Sequence, residues 1–497
     1  MNIPRKPFFP ILFSTFCLLP TFVPEAALGA VRRCAVAGQF YPLDPEELRK
    51  TVDAALAKAP EPKPLPSAPL ALLVPHAGYA FSAPVAAAGY KAVSGRYDTV
   101  VILGAAHTVQ VPGAGLYAGG AFQTPLGELP LDEAVIKQLL KDELFQDIPL
   151  AHLREHSIEV QLPFLMRRLE PGFKIVPIVM NTEDPAVSAR VGKTLGLALK
   201  GRKALIIISS DLSHYPDEKT ARKVDQTTLL ALERMDPDYF WLANRILLGH
   251  REQGLECTYC GEAGLLAGLA AARMLGADRA ELLLYGNSAQ APGGEPGRAV
   301  GYAAMAFVRS GKPASPEIPL DAARKRALLK TARSTIADAL AGKNPPAVLS
   351  EDPLLNLPSA VFVTLTEKGA LRGCIGTTEP RMPLLDAVKY GAYSAAFQDS
   401  RFTPMTKKEL PSIRIEISLL SMPERIPNHE GIEPKKHGVI VTQGDHSGLF
   451  LPQVWEQIPD KAEFLDELCA QKAGLPRECW KDPKTELRVF TVNAFKE

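Results

Sequence analysis

Residues 205–217 read LIIISSDLSHYPD: four branched apolar residues, two serines, then Asp211 and His214 three positions apart, closed by Tyr-Pro. The run at 205–208 is short, rich in β-branched residues and without polar alternation, which predicts a strand buried on both faces of a parallel sheet. In open α/β sheets ligands collect outside the carboxyl ends of the strands, so the Asp-x-x-His marks where a site would lie. Two other apolar runs end the same way. LALLVPHAGY (70–79) delivers His76, and VVILGAAHT (100–108) delivers His107. Three strands that each present a histidine just past the C-terminal end suit convergent metal or acid–base ligands.

Working outward, apolar runs near 70–75, 99–103, 173–180, 204–208, 281–286 and 301–308 alternate with helical patterns near 84–93, 131–141, 156–169, 186–200, 217–235 and 261–275. That alternation predicts an α/β domain, a mainly parallel sheet flanked by helices. The polar, Pro/Gly-rich RSGKPASPEIPL (309–320) reads as a linker. Beyond it an amphipathic helix at 321–341 precedes alternating runs such as AVFVTLT and IRIEISLLS, predicting a C-terminal α+β domain with antiparallel pairing. The domain reading is therefore 31–309, a linker at 310–320, and 321–497, with the second domain expected to fold by itself.

At 497 residues, 46% apolar and 22% charged, the chain has ordinary globular composition. A net charge of +1 with no basic stripe argues against nucleic acid as a partner. Residues 1–30 differ: Arg5 and Lys6 precede an apolar stretch at 8–23, and AALGA follows at 26–30. This pattern predicts a signal peptide or N-terminal anchor, and an exported protein that is periplasmic or membrane-anchored. Six cysteines lie past that segment, at 34, 257, 260, 374, 469 and 479. Their spacing is not that of a small stapled scaffold, so a set of three disulfides is not expected.

Two further elements join the histidines. REHSIEVQLPFL (154–165) places His156 and Glu159 three apart, which on a helix is one face. ECTYCGEAG places Cys260 at the start of an Ala/Leu-rich helix, where amide donors and the helix dipole would lower the thiol pKa. Each residue also has a purely structural reading. A single strand-end histidine is commonly a hydrogen-bonded packing residue, Asp211 could cap the next helix, and Cys257-x-x-Cys260 could be a disulfide or redox pair. Agreement among five elements favours a shared site.

PHAGYAFSAPVAA, VILGAAHT, EHSIEVQLPFL, SSDLSHY and CGEAG, in this order, resemble the Memo family. That family is similar in fold to the class III extradiol ring-cleaving dioxygenases, which hold a non-haem metal. The resemblance covers about 31–309. It implies a pocket lined by His76, His107, Asp211, His214 and Cys260, with His76 and His107 as metal ligands and His214 at the catalytic histidine; His156, in a matching motif, and Glu159 are expected behind the ligands, orienting them. Cys260 stands where the dioxygenases have a carboxylate. A softer thiolate favours copper or zinc on ligand grounds, with iron retained as a candidate, and it sets ring cleavage itself in question.

LRGCIGT (371–377), AFQDSRFTPMTKKEL (396–410), GVIVTQGDHSGLFLPQVW (438–455) and FLDELCAQKAGL (464–475) resemble the AMMECR1 family, over roughly 321–495. The glycines around Arg372 and Cys374 suggest a tight backbone presenting an anion-binding arginine and a nucleophilic thiol, or a packed turn with Cys374 as a small apolar residue. Asp399 and Arg401 read as a structural ion pair. Both families occur in bacteria beside a radical S-adenosylmethionine protein, a grouping named AmmeMemoRadiSam, which implies that protein as a partner.

Three functions follow as expectations. The first is a redox or oxygen-using enzyme with one transition metal ion, iron or copper with zinc an alternative, on His76, His107 and Cys260, and His214 with Asp211 as acid–base pair. The second is a vestigial pocket that binds a small molecule or peptide. The third is a metal-free hydrolase using Cys260 and His214.

Overall fold

The computed structural model describes residues 31–312, 315, 317–343 and 348–497. The expected signal segment lies outside the described residues. Ten strands build the first domain: β1 (Ala71–Val74), β2 (Thr99–Ala105), β3 (Ala114–Leu116), β4 (Ala121–Thr124), β5 (Gly127–Pro130), β6 (Phe145–Asp147), β7 (Lys174–Met180), β8 (Ala204–Ser209), β9 (Arg279–Asn287) and β10 (Gly301–Val308). Eight of them form one sheet in the order β6-β3-β7-β2-β8-β1-β10-β9, and β4 and β5 form a separate hairpin.

The four central strands, β7, β2, β8 and β1, are mutually parallel. Every residue of β1, β2 and β8 is buried, which is what their unbroken apolar runs require of strands covered on both faces. The carboxyl ends of β1, β2 and β8 therefore share one edge. The flanks are antiparallel: β10 against β1, β9 against β10, and β3 against β7.

Helix Glu262–Met274 is seated on this sheet through Gly268, where an added Cβ would overlap the Ile208 side chain of β8. That close approach brings the segment before the helix to the end of β8. The helical pattern at 156–169 resolves into a 3₁₀ turn at Glu159–Gln161 followed by an α-helix at Leu162–Arg168 that opens on Pro163. Helix Pro237–Gly249 is absent from the sequence reading, although Asp236 and Pro237 supply its cap and its first turn.

The second domain opens on helix Ala322–Leu340, capped by Asp321. Strands β11 (Pro358–Glu367), β12 (Ala370–Gly376), β13 (Met382–Pro383) and β14 (Ile413–Leu420) lead to β15 (Glu424–Ile426), β16 (Gly438–Gln443), β17 (His446–Phe450), β18 (Glu486–Phe490) and β19 (Val492–Lys496). One antiparallel sheet runs β12-β11-β14-β19 with β13 on β11, and another runs β15-β18-β16-β17. A disulfide joins Cys469 to Cys479, and Cys257 and Cys260 are free thiols.

Contacts cross from one domain to the other. The Tyr239 hydroxyl donates to the Pro358 carbonyl at 3.1 Å and His250 pairs with Asp386 at 3.3 Å. Leu349 is buried with Val224 and Leu247.

Candidate functional site

The ends of β1, β2 and β8 and the start of helix Glu262–Met274 carry their side chains to one place. One donor atom from each of His76, His107 and Cys260 lies within 4.8 Å of the others, and the same holds for Asp211, His214 and Cys260. The Cys260 Sγ is 3.0 Å from the His76 Nε2. The His76 and His107 rings meet edge to face with centroids 5.3 Å apart.

Hydrogen-bond accounting fixes which nitrogen each ring offers. The Ser209 hydroxyl donates to the Ser157 carbonyl at 2.6 Å and accepts from the Gln161 Nε2 at 2.8 Å. Gln161 is held in that orientation because its Nε2 also donates to the Pro75 carbonyl and its Oε1 accepts from the Tyr90 hydroxyl. The Ser209 oxygen, 3.1 Å from the His76 Nδ1, is thus left as an acceptor, so Nδ1 carries the proton and Nε2 faces Cys260 with a lone pair. His107 is oriented by a stronger contact, and although burial lowers its pKa, the Glu155 hydrogen bond and charge outweigh it and raise the ring above the ordinary histidine value. Its Nδ1–H donates to the Glu155 Oε1 at 2.9 Å, while the other carboxylate oxygen accepts the His107 amide at 2.8 Å. A carboxylate behind a ligand histidine sets its tautomer and raises its basicity.

Electrostatics follow from burial. It drives the His76 ring well below the usual histidine range, helped by His156 and His107, so the ring is neutral and ready to ligate. Burial alone would raise the Glu155 carboxyl, but the His107 ring and the amides of Ser157 and His107 outweigh it and hold it at about 2. The Cys260 thiol departs from the sequence expectation. Burial, then the Asp211 carboxylate and the Cys257 thiol, push it well up rather than down. The helix begins at Glu262 behind an uncapped Gly261, and the amide that reaches the Cys260 Sγ is that of Asp211, at 3.3 Å. One amide does not offset that desolvation, so thiolate here calls for a cation of its own.

Two imidazole nitrogens and one sulfur, with Nε2 lone pairs already aimed inward, fit a transition metal with a fourth position left for another ligand. His214 and Asp211 border that position. The His214 Nδ1 donates to the Leu212 carbonyl at 2.9 Å, which leaves its Nε2 as the free acceptor. Asp211 accepts the amides of His76 and Ala77, at 2.7 and 3.2 Å, so it ties the end of β8 to the end of β1. It does not cap the following helix, whose cap is Asp217.

Residues 32–306 match the Memo-like protein family. The chain belongs to that family. A MEMO1 family protein of Aquifex aeolicus (strain VF5) is 37% identical over 278 residues, 56% of this chain and 99% of the relative. A MEMO1 family protein of Methanopyrus kandleri is 37% identical over 289 residues, with 56% and 99% covered. Residues 329–495 match AMMECR1, so the chain carries both domains. The crystal structure of an uncharacterized protein from Pyrococcus horikoshii shares 38% identity over 34% of this chain and 90% of its own, with a TM-score of 0.31.

In the Memo-like domain His156 stacks on His107 at 4.6 Å between ring centroids and lies 4.7 Å from the Phe40 ring. Glu159 is elsewhere. It pairs with buried Arg32 and accepts from the amides of Ala35 and Val36 and the Tyr41 hydroxyl, at 2.7, 3.1 and 2.5 Å. The three-residue spacing from His156 does not put the two on one face, because His156 lies in irregular backbone ahead of a turn and the 3₁₀ helix begins only at Glu159. Glu159 pins the N-terminal segment whose Phe40 covers His156.

The sequence reading overlooks Glu155, Ser209 and Gln161. Glu155 stands next to His156 in a quoted motif, and a buried acid beside a histidine is the available signal; the other two have none without the fold. Cys257 sits 3.3 Å from the His214 Nδ1, so the two thiols of the Cys-x-x-Cys face different histidines.

In the AMMECR1 domain, Arg372 is committed to its own fold: its Nε donates to Glu409 and its Nη2 to the Thr403 carbonyl, both at 2.8 Å. Cys374 is half-buried. The Thr364 hydroxyl donates to its sulfur at 3.3 Å and the Cys374 amide donates to Asp399 at 2.9 Å. Asp399 pairs with Arg401 at 2.7 Å.

Proposed function

We propose that the Memo-like domain holds one transition metal ion, iron or copper with zinc an alternative, on His76, His107 and Cys260, and acts as a redox or oxygen-using enzyme on a small organic substrate. The observation that carries this reading is the set of three donor atoms within 4.8 Å, drawn from two strand ends and a helix start. When bound, the metal would supply Lewis acidity beside the substrate and, as iron or copper, one-electron chemistry.

The chain's own residues do the rest. Glu155 and Ser209 hold the two histidines with Nε2 inward. His214, fixed by the Leu212 carbonyl through Nδ1, offers Nε2 to accept or return a proton, with a carboxylate oxygen of buried Asp211 within 4.8 Å of one of its ring nitrogens. Buried His76 meets the half-buried His156 ring edge to face at 5.2 Å, and Phe40 packs on His156 at 4.7 Å, so ring surface lines that side of the site.

A metal-free hydrolase through Cys260 and His214 fits less well. The imidazole within hydrogen-bond distance of Cys260 is His76, and burial drives that thiol up and that ring down, which leaves a neutral pair instead of an activated thiolate. Export is part of the proposal and is supported by the residue 1–30 pattern and by the Cys469–Cys479 disulfide, a bond that persists in oxidising compartments. The fusion of the two domains supports the radical S-adenosylmethionine protein as a partner.

Anaerobic reconstitution of the mature protein with Fe(II), Cu(I) or Zn(II), followed by metal analysis, tests the reading. Wild type should retain stoichiometric metal, the His76→Ala, His107→Ala and Cys260→Ser variants should lose it, and His214→Ala should keep it. Absence of retained metal in wild type with all three ions would refute the proposal.

A further inference from the structure

His214, the proposed acid–base histidine, is followed by a strained residue. Tyr215 has φ of 71°, in the left-handed region that bulky side chains rarely adopt. What holds it there is the loop before β10. The Tyr215 amide donates to the Ala299 carbonyl at 2.7 Å, the Ala299 amide to the Pro216 carbonyl at 2.8 Å, and His214 forms an isolated bridge with Val300. Because β10 runs antiparallel to β1, the loop that feeds it emerges on the same edge as His76 and His214.

Arg298 immediately precedes these anchors. Its guanidinium carbon lies 3.9 Å from the Tyr215 ring centroid, and that ring lies 5.4 Å from the His214 ring. Arg298 is exposed and takes part in none of the ion pairs among the described residues. The aromatic face fixes the plane of the guanidinium and leaves its N–H edge unmatched, the arrangement that binds carboxylate or phosphate in two-point fashion. Backbone strain, loop pairing and a stacked cation without a counter-charge thus coincide beside the proposed acid–base histidine.

We infer that Arg298, laid on Tyr215 beside His214, binds the anionic group of the substrate, and that the substrate is an organic anion bearing a carboxylate or a phosphate. This rests on the proposed function above for the site it serves. It gives the strained Tyr215 a role: a relaxed backbone there would release the ring that orients the guanidinium.

Calorimetric titration of the full mature protein, metal-loaded and metal-free, with benzoate, phenyl phosphate and neutral benzamide tests it. Wild type should bind at least one of the two anions about 10-fold or more tightly than benzamide, as a two-point charged contact would provide. The tighter of the two identifies the group. Arg298→Ala should abolish the preference, and Arg298→Lys should keep part of it, with metal content equal to wild type in both. Equal binding of all three compounds by wild type, or an undiminished anion preference in Arg298→Ala, would overturn the inference. The metal-free arm separates the two claims: a wild type that retains no metal refutes the metal proposal, while its anion preference still judges Arg298.

Discussion

Replacing Glu155 by Gln changes one atom in the layer behind the proposed metal ligands and has a calculable effect. The carboxylate accepts three hydrogen bonds, from the His107 Nδ1–H and the Ser157 amide at one oxygen and from the His107 amide at the other, all between 2.8 and 2.9 Å. An amide must turn its NH₂ toward one of those donors. The least damaging orientation keeps Oε1 in place, loses the His107 amide bond and faces donor against donor. A hydrogen bond to a charged group is worth ~1.5–3 kcal/mol, so the metal-free protein should lose stability on that order.

Metal affinity should fall about 10- to 100-fold, the usual loss when the group behind a ligand histidine is changed. Denaturant unfolding of metal-free protein and competition against a chromophoric chelator measure the two effects. A pH arm adds the sign. The Glu155 carboxyl is held at about 2 in the fold against an ordinary value of 4.5, so its contribution is present above 4.5 and is lost as pH falls through the folded value. The stability difference between wild type and Glu155→Gln should therefore shrink from pH 4.5 toward 2. A variant with wild-type metal affinity and unchanged stability would refute the assignment of Glu155 as the residue that orients His107.

The two thiols should separate cleanly. Cys257→Ser should keep metal and Cys260→Ser should lose it, and equal metal content in both after anaerobic purification would remove Cys260 from the ligand set. Asp225 is buried and raised to about 7, chiefly by burial and in spite of the Ser213 amide and the Tyr285 hydroxyl. The folded state then binds the extra proton, so stability should decline as pH rises from about 4 to 7 and flatten above, and Asp225→Asn should abolish that slope in urea melts. In the AMMECR1 domain, a Cβ at Gly373 would overlap the Ala395 carbonyl of the facing helix, so Gly373→Ala should cost about 3 kcal/mol in unfolding of the full chain. A wild-type midpoint would show that the strand and helix can separate freely.

How much was legible depends on whether a residue's role is local. Strands β1, β2 and β8 announce themselves because a strand buried on both faces has to be apolar without alternation, and the residues that end such runs must lie at the sheet edge. His76, His107 and His214 are readable for that reason. Cys260 is readable as a helix-start thiol, but its protonation is not. The sign of that shift turns on depth within the fold and on Asp211, some fifty positions earlier, and no local pattern carries either. Helix Pro237–Gly249 carries a local start signal in Asp236-Pro237, the cap and first-turn residues.

By itself, then, the order of residues determined the alternation of strands and helices, the edge on which the histidines gather, and the family motifs that span both domains. Only the tertiary structure decided which side chain stands behind which ligand. Glu155 rather than Glu159 faces His107, because irregular backbone and a turn separate the two acids and the 3₁₀ helix begins only at Glu159, which sends one acid to His107 and the other to Arg32. Likewise Ser209 orients His76 only because β8 lies beside β1 and Gln161 reaches across to commit the serine proton to Ser157. Hydrogen bonds are short-ranged and directional, so their partners are chosen by distances that exist only once the chain is folded.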